Sequence, residues 1–247
     1  MTTLILADTH QNIHYIDWVL KKEKGNFDNI IHLGDWFDSF YEPPAVASVR
    51  ETCEFMLRLD GDYHVTFLVG NHDLSYYEDI FKGDKQFVSN SDVIRKRYRC
   101  QGYTQEKSRK IKKFLPKEFV KKCKIAVYKY DFLISHAGFY YPLISGMGRS
   151  ALLQHMINAW ENFPNNYPSE RWIFRCGSAR GGDWGDIGGP LWLDWYNEFE
   201  DGPWPQIVGH TNSPSPRKEG NSYMLDARQN CYAFLSKDGI EIKLLKE

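Results

Sequence analysis

Long apolar runs are missing from this chain. No window reaches the roughly 18 apolar residues that a membrane-spanning helix needs, so a soluble protein with no membrane partner is expected. Charge of one sign is missing too. With 31 Lys+Arg against 32 Asp+Glu in 247 residues, the formal net charge is −1, which gives no overall attraction to nucleic acid or lipid. Cysteine is sparse: Cys53, Cys100, Cys123, Cys176 and Cys231 are odd in number, widely spaced and without a CxxC pair. That argues against a disulfide framework and a zinc–thiolate centre, and predicts buried free thiols in a reducing, cytoplasmic setting. The chain enters a strand within three residues, with no charged leader ahead of an apolar stretch, so no signal peptide is expected. No internal repeat, low-complexity tract or linker divides it. We read residues 1–247 as a single domain, long enough to bury a substantial core.

What is present is an alternation of short apolar runs and amphipathic stretches. Thr3–Ala7, Asn29–Leu33 and Val65–Val69 read as strands, and Ile13–Lys24 and Ala45–Leu59 as helices between them. Strands alternating with helices predict parallel pairing with right-handed crossovers, and ligands collect at the carboxyl ends of such strands. Residues 75–124 are polar and helical in composition, and residues 139–205 form a second insertion rich in tryptophan. Between and after them come Lys124–Tyr128, a turn at Lys129–Asp131, Phe132–Ser135, Gln206–Val208, Ser222–Asp226, Cys231–Ser236 and Ile240–Leu245, with Asp238-Gly239 as a hairpin turn. This order predicts an α/β protein: a four-layer αββα sandwich of two mixed β-sheets flanked by helices.

Six segments punctuate these elements: Asp8-Thr9-His10, Gly34-Asp35-Trp36-Phe37-Asp38, Gly70-Asn71-His72-Asp73, Ser135-His136-Ala137-Gly138, Gly189-Pro190-Leu191-Trp192 and Val208-Gly209-His210-Thr211. Five of them follow apolar runs and offer only oxygen and nitrogen ligands, the donor set of hard divalent cations. Asp8 and His10 lie two apart at one strand end and can point to one ion. Asp35 can bridge two ions, Asn71 offers a neutral oxygen, and His136 and His210 offer imidazoles. Taken singly, each has an ordinary reading as turn chemistry or a core histidine. Taken together at one sheet edge, they predict a dimetal site at the strand C-terminal edge. Two ions about 3.5–4 Å apart can turn a bridging water into hydroxide and neutralise a phosphoryl group under attack.

These segments resemble the motifs of the calcineurin-like metallophosphoesterase superfamily, which run DxH, GDxxD, GNH(D/E), a His-Ala-Gly-like segment and GH, and the resemblance spans residues 4–226. It implies that Asp8, His10 and Asp35 hold a first ion and that Asp35, Asn71, His136 and His210 hold a second. It also implies that His72 is the general acid, oriented by Asp38, because a leaving alkoxide needs a proton from a charged, aimed imidazole. Asp73, its sequence neighbour, is expected to face away. Manganese is the expected metal, with iron, zinc, magnesium and nickel as alternatives.

Two departures matter. Where many members carry GHxH, this chain has Gly209-His210-Thr211-Asn212, which resembles the serine/threonine protein phosphatase-like branch and its small bacterial and phage relatives. Gly189-Pro190-Leu191-Trp192-Leu193-Asp194-Trp195 and Asn221–Asp226 resemble that branch as well. In it an arginine that clamps phosphate follows GDxxD, whereas here Ser39 follows Asp38. Arg180 is the first candidate to replace it and Arg149 the second, since guanidinium forks phosphate bidentately; Asn71 is expected to share in phosphate binding.

The expected substrate is therefore a phosphomonoester, on a serine/threonine phosphoprotein first and a dinucleoside polyphosphate second. A nucleic-acid phosphodiesterase and a metal-bound scaffold without turnover are the remaining readings. The scaffold is disfavoured because His72 and Asp38 are both retained. The stretch 95–124 holds thirteen Lys or Arg against Glu106 and Glu118. It reads as a solvated helical cap with Ile111, Phe114, Leu115 and Phe119 inward, with nucleic acid a less favoured partner. Most tryptophans read as core; Trp36, inside a metal loop, is the one expected to touch substrate.

Overall fold

A computed structural model describes residues 1–41, 45–83, 100–163, 165 and 171–245. Two mixed five-stranded sheets form its centre. The first has β1 (Thr3–Leu6) beside β2 (Asn29–His32) and β2 beside β3 (Val65–Phe67), all parallel, with β9 (Cys231–Ser236) antiparallel to β1 and β10 (Gly239–Leu244) on its outer edge. The second runs β4 (Ala126–Lys129), β5 (Phe132–Ser135), β6 (Gln206–Val208), β8 (Ser222–Met224) and β7 (Arg217–Glu219). Here β5, β6 and β8 are parallel and both edges antiparallel.

The period of two in each strand sorts the core. Ile5 and Ile31 face the second sheet and meet Ile134, Ile207 and Leu225 in an apolar seam. Leu4, Leu6 and Ile30 face the other way, against Ile16 and Val19 of α1 (Ile13–Lys22) and Met56 of α2 (Val49–Asp62). On the second sheet, Leu152 and Met156 of α7 (Arg149–Glu161) share that outer core with Ala126 and Leu133. Helices therefore cover both outer faces, the four-layer α/β sandwich expected.

Differences from the sequence reading are local. The second helix begins at Val49 rather than Ala45, because Ser48 and Glu51 make a reciprocal capping box there. Ala47 instead donates its amide to the Gln11 carbonyl (3.0 Å), which ties 45–47 to the loop after β1. Strand β7 was not expected: Arg-Lys-Glu has no apolar face, and all three residues are exposed at a sheet edge. The last hairpin turns one residue earlier than expected, since Gly239 is already paired with Ser236.

The basic region forms α4 (Gln105–Phe114) and α5 (Lys117–Lys122). Ile111, Leu115 and Phe119 are buried, while Lys110, Lys121 and Lys122 pair with Glu106, Glu118 and Asp60. This is the solvated cap of the sequence reading, although Arg95, Lys96, Arg97 and Arg99 lie outside the described residues. Trp36 corrects an expectation. It is fully buried and stacks on the His32 ring at 3.9 Å, so it supports the metal loop from below and does not reach substrate. Trp160, Trp192 and Trp195 are core as expected, and Trp184 is 99% exposed. All five cysteines are free and buried.

Candidate metal centre

The loops after β1, β2, β3, β5 and β6 converge at the carboxyl edge of the two sheets. Close approach makes this possible. A Cβ on Gly70 would sit 2.2 Å from the Asp35 amide and carboxylate, and one on Gly34 would sit 2.5 Å from the Gly70 nitrogen. Only glycines let these two loops touch. Backbone strain gathers here as well. Of nine described non-glycine residues with positive φ, Asp8, His10, Gln11, Asp35, Asp38, His210, Arg228 and Gln229 are at or beside this edge, and only Tyr130 is elsewhere. Such conformations cost free energy and persist where surroundings over-determine them, which is a mark of functional sites.

Each carboxylate divides its oxygens between scaffold and site. Asp8 Oδ1 accepts the His210 amide (3.0 Å), and Oδ2 is buried with no partner among the described residues. Asp35 Oδ1 accepts the His72 amide (2.9 Å), while Oδ2 lies 3.7 Å from His10 Nε2 and 3.5 Å from His136 Nε2. The imidazoles are aimed by carbonyls, which can only accept. His10 Nδ1 donates to Phe37 O (3.0 Å) and His136 Nδ1 to Leu33 O (2.9 Å), so both Nε2 lone pairs face inward. Asn71 Oδ1 stands 2.8 Å from His136 Nε2 and 2.9 Å from His210 Nδ1, which are 3.2 Å apart. Cys100 fixes that amide, accepting Asn71 Nδ2 on its sulfur (3.1 Å) and donating to Asn71 O (2.8 Å).

Two groups result. Ligand atoms of Asp8, His10 and Asp35 lie within 4.8 Å of one another, as do those of Asp35, His136 and His210, and Asp35 belongs to both. The residues fit divalent cations. The spacing among Asn71, His136 and His210 matches the edge of an octahedron, roughly 3 Å for bonds of about 2.1 Å. Asp8 Oδ2, buried and without a partner among the described residues, is a polar atom of the kind that otherwise finds one.

Electrostatics agree. Burial by itself pushes the Asp35 carboxyl up, but His136, His72, His10 and His210 outweigh it and hold that carboxyl well below the usual range. Burial, with Asp226 and Asp35 nearby, pushes Asp8 up. Burial also lowers His136 and His210, keeping their imidazoles neutral as ligands must be. Below them His32, pushed down to about 3 by burial, bonds Thr9 Oγ1 (2.6 Å) and the Gly34 amide (3.1 Å).

His72 sits beside this cluster with Nδ1 3.1 Å from Asp38 Oδ2. Asp38 Oδ1 receives the Tyr76 hydroxyl (2.5 Å) and Lys107 Nζ (3.1 Å), so a residue of the basic stretch reaches the pair. Burial disfavours a charged His72, yet Asp35 and Asp38 overcome it and raise its pKa. Asp73 does face away from His72. Its carboxylate accepts the amides of Asp35 (2.9 Å), Trp36 (2.9 Å) and Gly70 (3.0 Å), joining the second and third loops. Asp73→Ala strands three buried amides, each costing about 1–3 kcal/mol. We expect destabilisation of at least about 3 kcal/mol, read from urea unfolding; a loss below about 1 kcal/mol would mean that the loops hold together without it.

The arginines behave differently from expectation. Arg149 is not at the site. It begins α7, packed along β4, with its guanidinium over the Tyr128 ring (4.6 Å) and 3.8 Å from Asp131, at the end of β5 opposite His136. Arg180 is nearer but engaged, with Nε 2.9 Å from Asp194 Oδ2 and Nη2 donating to Thr211 Oγ1 (2.8 Å), and it is not on the cavity wall. Asn212 accepts Arg228 Nε (2.8 Å) on its side-chain oxygen. Sequence reasoning missed Cys100, Tyr76, Lys107, Asp226, Arg228 and Gln229. None carries a local motif.

The sequence profile of calcineurin-like phosphoesterases matches residues 1–244. The chain belongs to this family. It is a metallophosphoesterase, a phosphoric ester hydrolase, and the family implies divalent metal ions and phosphorylated substrates. No curated protein matches its sequence. Among solved structures, a cold-active protein-tyrosine phosphatase of the psychrophile Shewanella sp. is similar over 99% of this chain and 78% of its own (TM-score 0.63, 16% identity). A protein serine/threonine phosphatase from Saccharomyces cerevisiae is similar over 100% and 81% (TM-score 0.51, 14% identity). At such identities the likeness is one of fold. No helix among the described residues of this phosphoesterase is long and apolar enough to cross a membrane.

Proposed function

We propose that this phosphoesterase is a dinuclear, manganese-dependent phosphatase of the cytoplasm that hydrolyses phosphomonoesters, serine/threonine phosphoproteins first among them. The observation that carries the reading is the pair of ligand groups sharing Asp35. In it Asp8, His10 and Asp35 would hold one cation, and Asp35, Asn71, His136 and His210 the other. Bound there, two cations would supply a nucleophile from water at neutral pH and neutralise the phosphoryl oxygens.

The remaining work belongs to the chain. Asp35 Oδ2, between His10 and His136, sets the separation of the two halves, and the Asp73 bridge keeps its loop from shifting. The Leu33 and Phe37 carbonyls keep two imidazoles in the ligating tautomer. His72 protonates the leaving oxygen, and Asp38 keeps that imidazole charged and turned, itself held by Tyr76 and Lys107. A bound scaffold without turnover has no need of this second apparatus, which favours the enzyme.

The cavity, about 720 Å³, also supports a second substrate class. The Phe40 and Tyr41 rings at its rim are 76% and 71% exposed, and Phe40 lies 6.1 Å from the His10 ring. Rings so placed suit stacking of a nucleobase, which favours a dinucleoside polyphosphate as the alternative.

Chelated protein is expected to be inactive on p-nitrophenyl phosphate and to recover with Mn²⁺, binding two ions per chain. Recovery without added metal, or saturation at one ion, would refute the dinuclear reading. A panel of phosphoserine peptide, diadenosine tetraphosphate, cyclic nucleotide and RNA ends, assayed with Mn²⁺, ranks the substrate classes.

A further inference from the structure

The family's usual clamp position is Ser39 here, and both arginines singled out in the sequence are engaged or distant. Among the described residues, Arg228 is the only lysine or arginine on the wall of the cavity that holds His10, Asp35, Asn71 and His72. Its placement is built. Arg228 and Gln229 are consecutive non-glycine residues in the left-handed region, φ 56° and 59°, a conformation costing roughly 1–2 kcal/mol per residue. Three tethers impose it. The Arg228 amide donates to Asp226 Oδ1 (3.3 Å), and Gln229 Nε2 donates to the carbonyls of Asp8 (3.1 Å) and Thr9 (2.8 Å). Asn12 Nδ2 in turn donates to Gln229 Oε1 (2.6 Å). The turn between β8 and β9 is thereby fastened to the loop that carries Asp8 and His10.

The guanidinium is held by one edge only. Nε donates to Asn212 Oδ1 (2.8 Å), and no described residue takes the two Nη groups. A guanidinium fixed at Nε presents its remaining N–H groups as a rigid fork matched to two oxygens of one phosphoryl group. Asn212 closes the segment where this chain departs from GHxH, and its side-chain oxygen holds Arg228 instead.

We infer that Arg228 clamps the substrate's phosphoryl group, positioned by Asn212, and selects a dianionic monoester over a monoanionic diester. The inference rests on the phosphomonoesterase reading and names a binding residue within it. The fork adds a fixed positive charge beside the cations, and a second anionic charge on the phosphoryl group strengthens that contact. A diester, with one of those oxygens alkylated, has less to offer it.

The test uses Mn²⁺-loaded wild type, R228A, R228K and N212A. The substrates are p-nitrophenyl phosphate and bis-p-nitrophenyl phosphate, and inorganic phosphate binding is followed by calorimetry. R228A is expected to weaken phosphate binding and raise the monoester KM by about 10- to 100-fold, with two ions still bound and a far smaller change for the diester. R228K restores charge without the fork and falls between. N212A raises the monoester KM in the same direction while kcat holds, which a general loss of folding would not do. Wild-type phosphate binding and monoester turnover in R228A would overturn the clamp. Equal losses on both esters would overturn the selectivity. A wild type that hydrolyses neither ester, yet binds phosphate through Arg228, would overturn the phosphatase reading and leave the clamp standing.

Discussion

Asp35→Asn is expected to abolish turnover and to lower metal content from two ions per chain to one or none. The substitution keeps size and shape, so its effect is electrostatic. Four imidazoles lower the Asp35 carboxyl, Asp35 is the one residue common to both ligand groups, and its Oδ2 lies near both His10 and His136. An amide there has one oxygen where two are needed. If that oxygen keeps the His72 amide, an N–H₂ faces His10 and His136; if it turns, the His72 amide meets a donor. Loss of a shared anionic ligand forfeits several kcal/mol of transition-state stabilisation, a rate factor of at least about 10³. Metal analysis and single-turnover rates check it. A variant that holds two ions and turns over within tenfold of wild type would remove Asp35 from its bridging role.

His72→Asn should do the opposite to the two readouts. Metal content stays, because the His72 side chain is in neither ligand group, and the rate on alkyl phosphates falls by roughly 10²–10⁴. The loss shrinks with nitrophenyl phosphate, whose leaving group needs no proton. Asp38 fixes the imidazole. With the Tyr76 hydroxyl and Lys107 ammonium on one oxygen and His72 on the other, that carboxylate cannot swing away. The imidazole is therefore held in one orientation, its far nitrogen bonded to no described residue. Equal losses on good and poor leaving groups would assign His72 to binding rather than proton transfer.

How much of this was legible beforehand follows from how far apart the partners are in sequence. The strand-end motifs are local: an apolar run fixes a strand, and the residue after it must emerge at the strand's end. Asp8, His10, Asp35, Asn71, His136 and His210 could be placed together on that ground alone. Trp36 and Arg149 depart from the sequence reading because each has a plausible local role and a different long-range partner. Trp36 follows a candidate ligand, yet its ring finds His32 and a buried pocket against Phe55 and Phe67. Arg149 opens a helix within the second insertion, and the direction of that helix along β4 carries it to the wrong end of the sheet.

By itself the sequence determined the αββα architecture, the ligand types and the edge at which they meet, since hydrophobic period and strand termination are properties of short segments. Tertiary structure alone decided how those ligands are aimed and that Arg228 faces the cavity. The Leu33 and Phe37 carbonyls, Cys100, Tyr76, Lys107 and the Gln229 tether act across tens to hundreds of residues, and a hydrogen bond made over such a separation leaves no pattern in either segment that makes it.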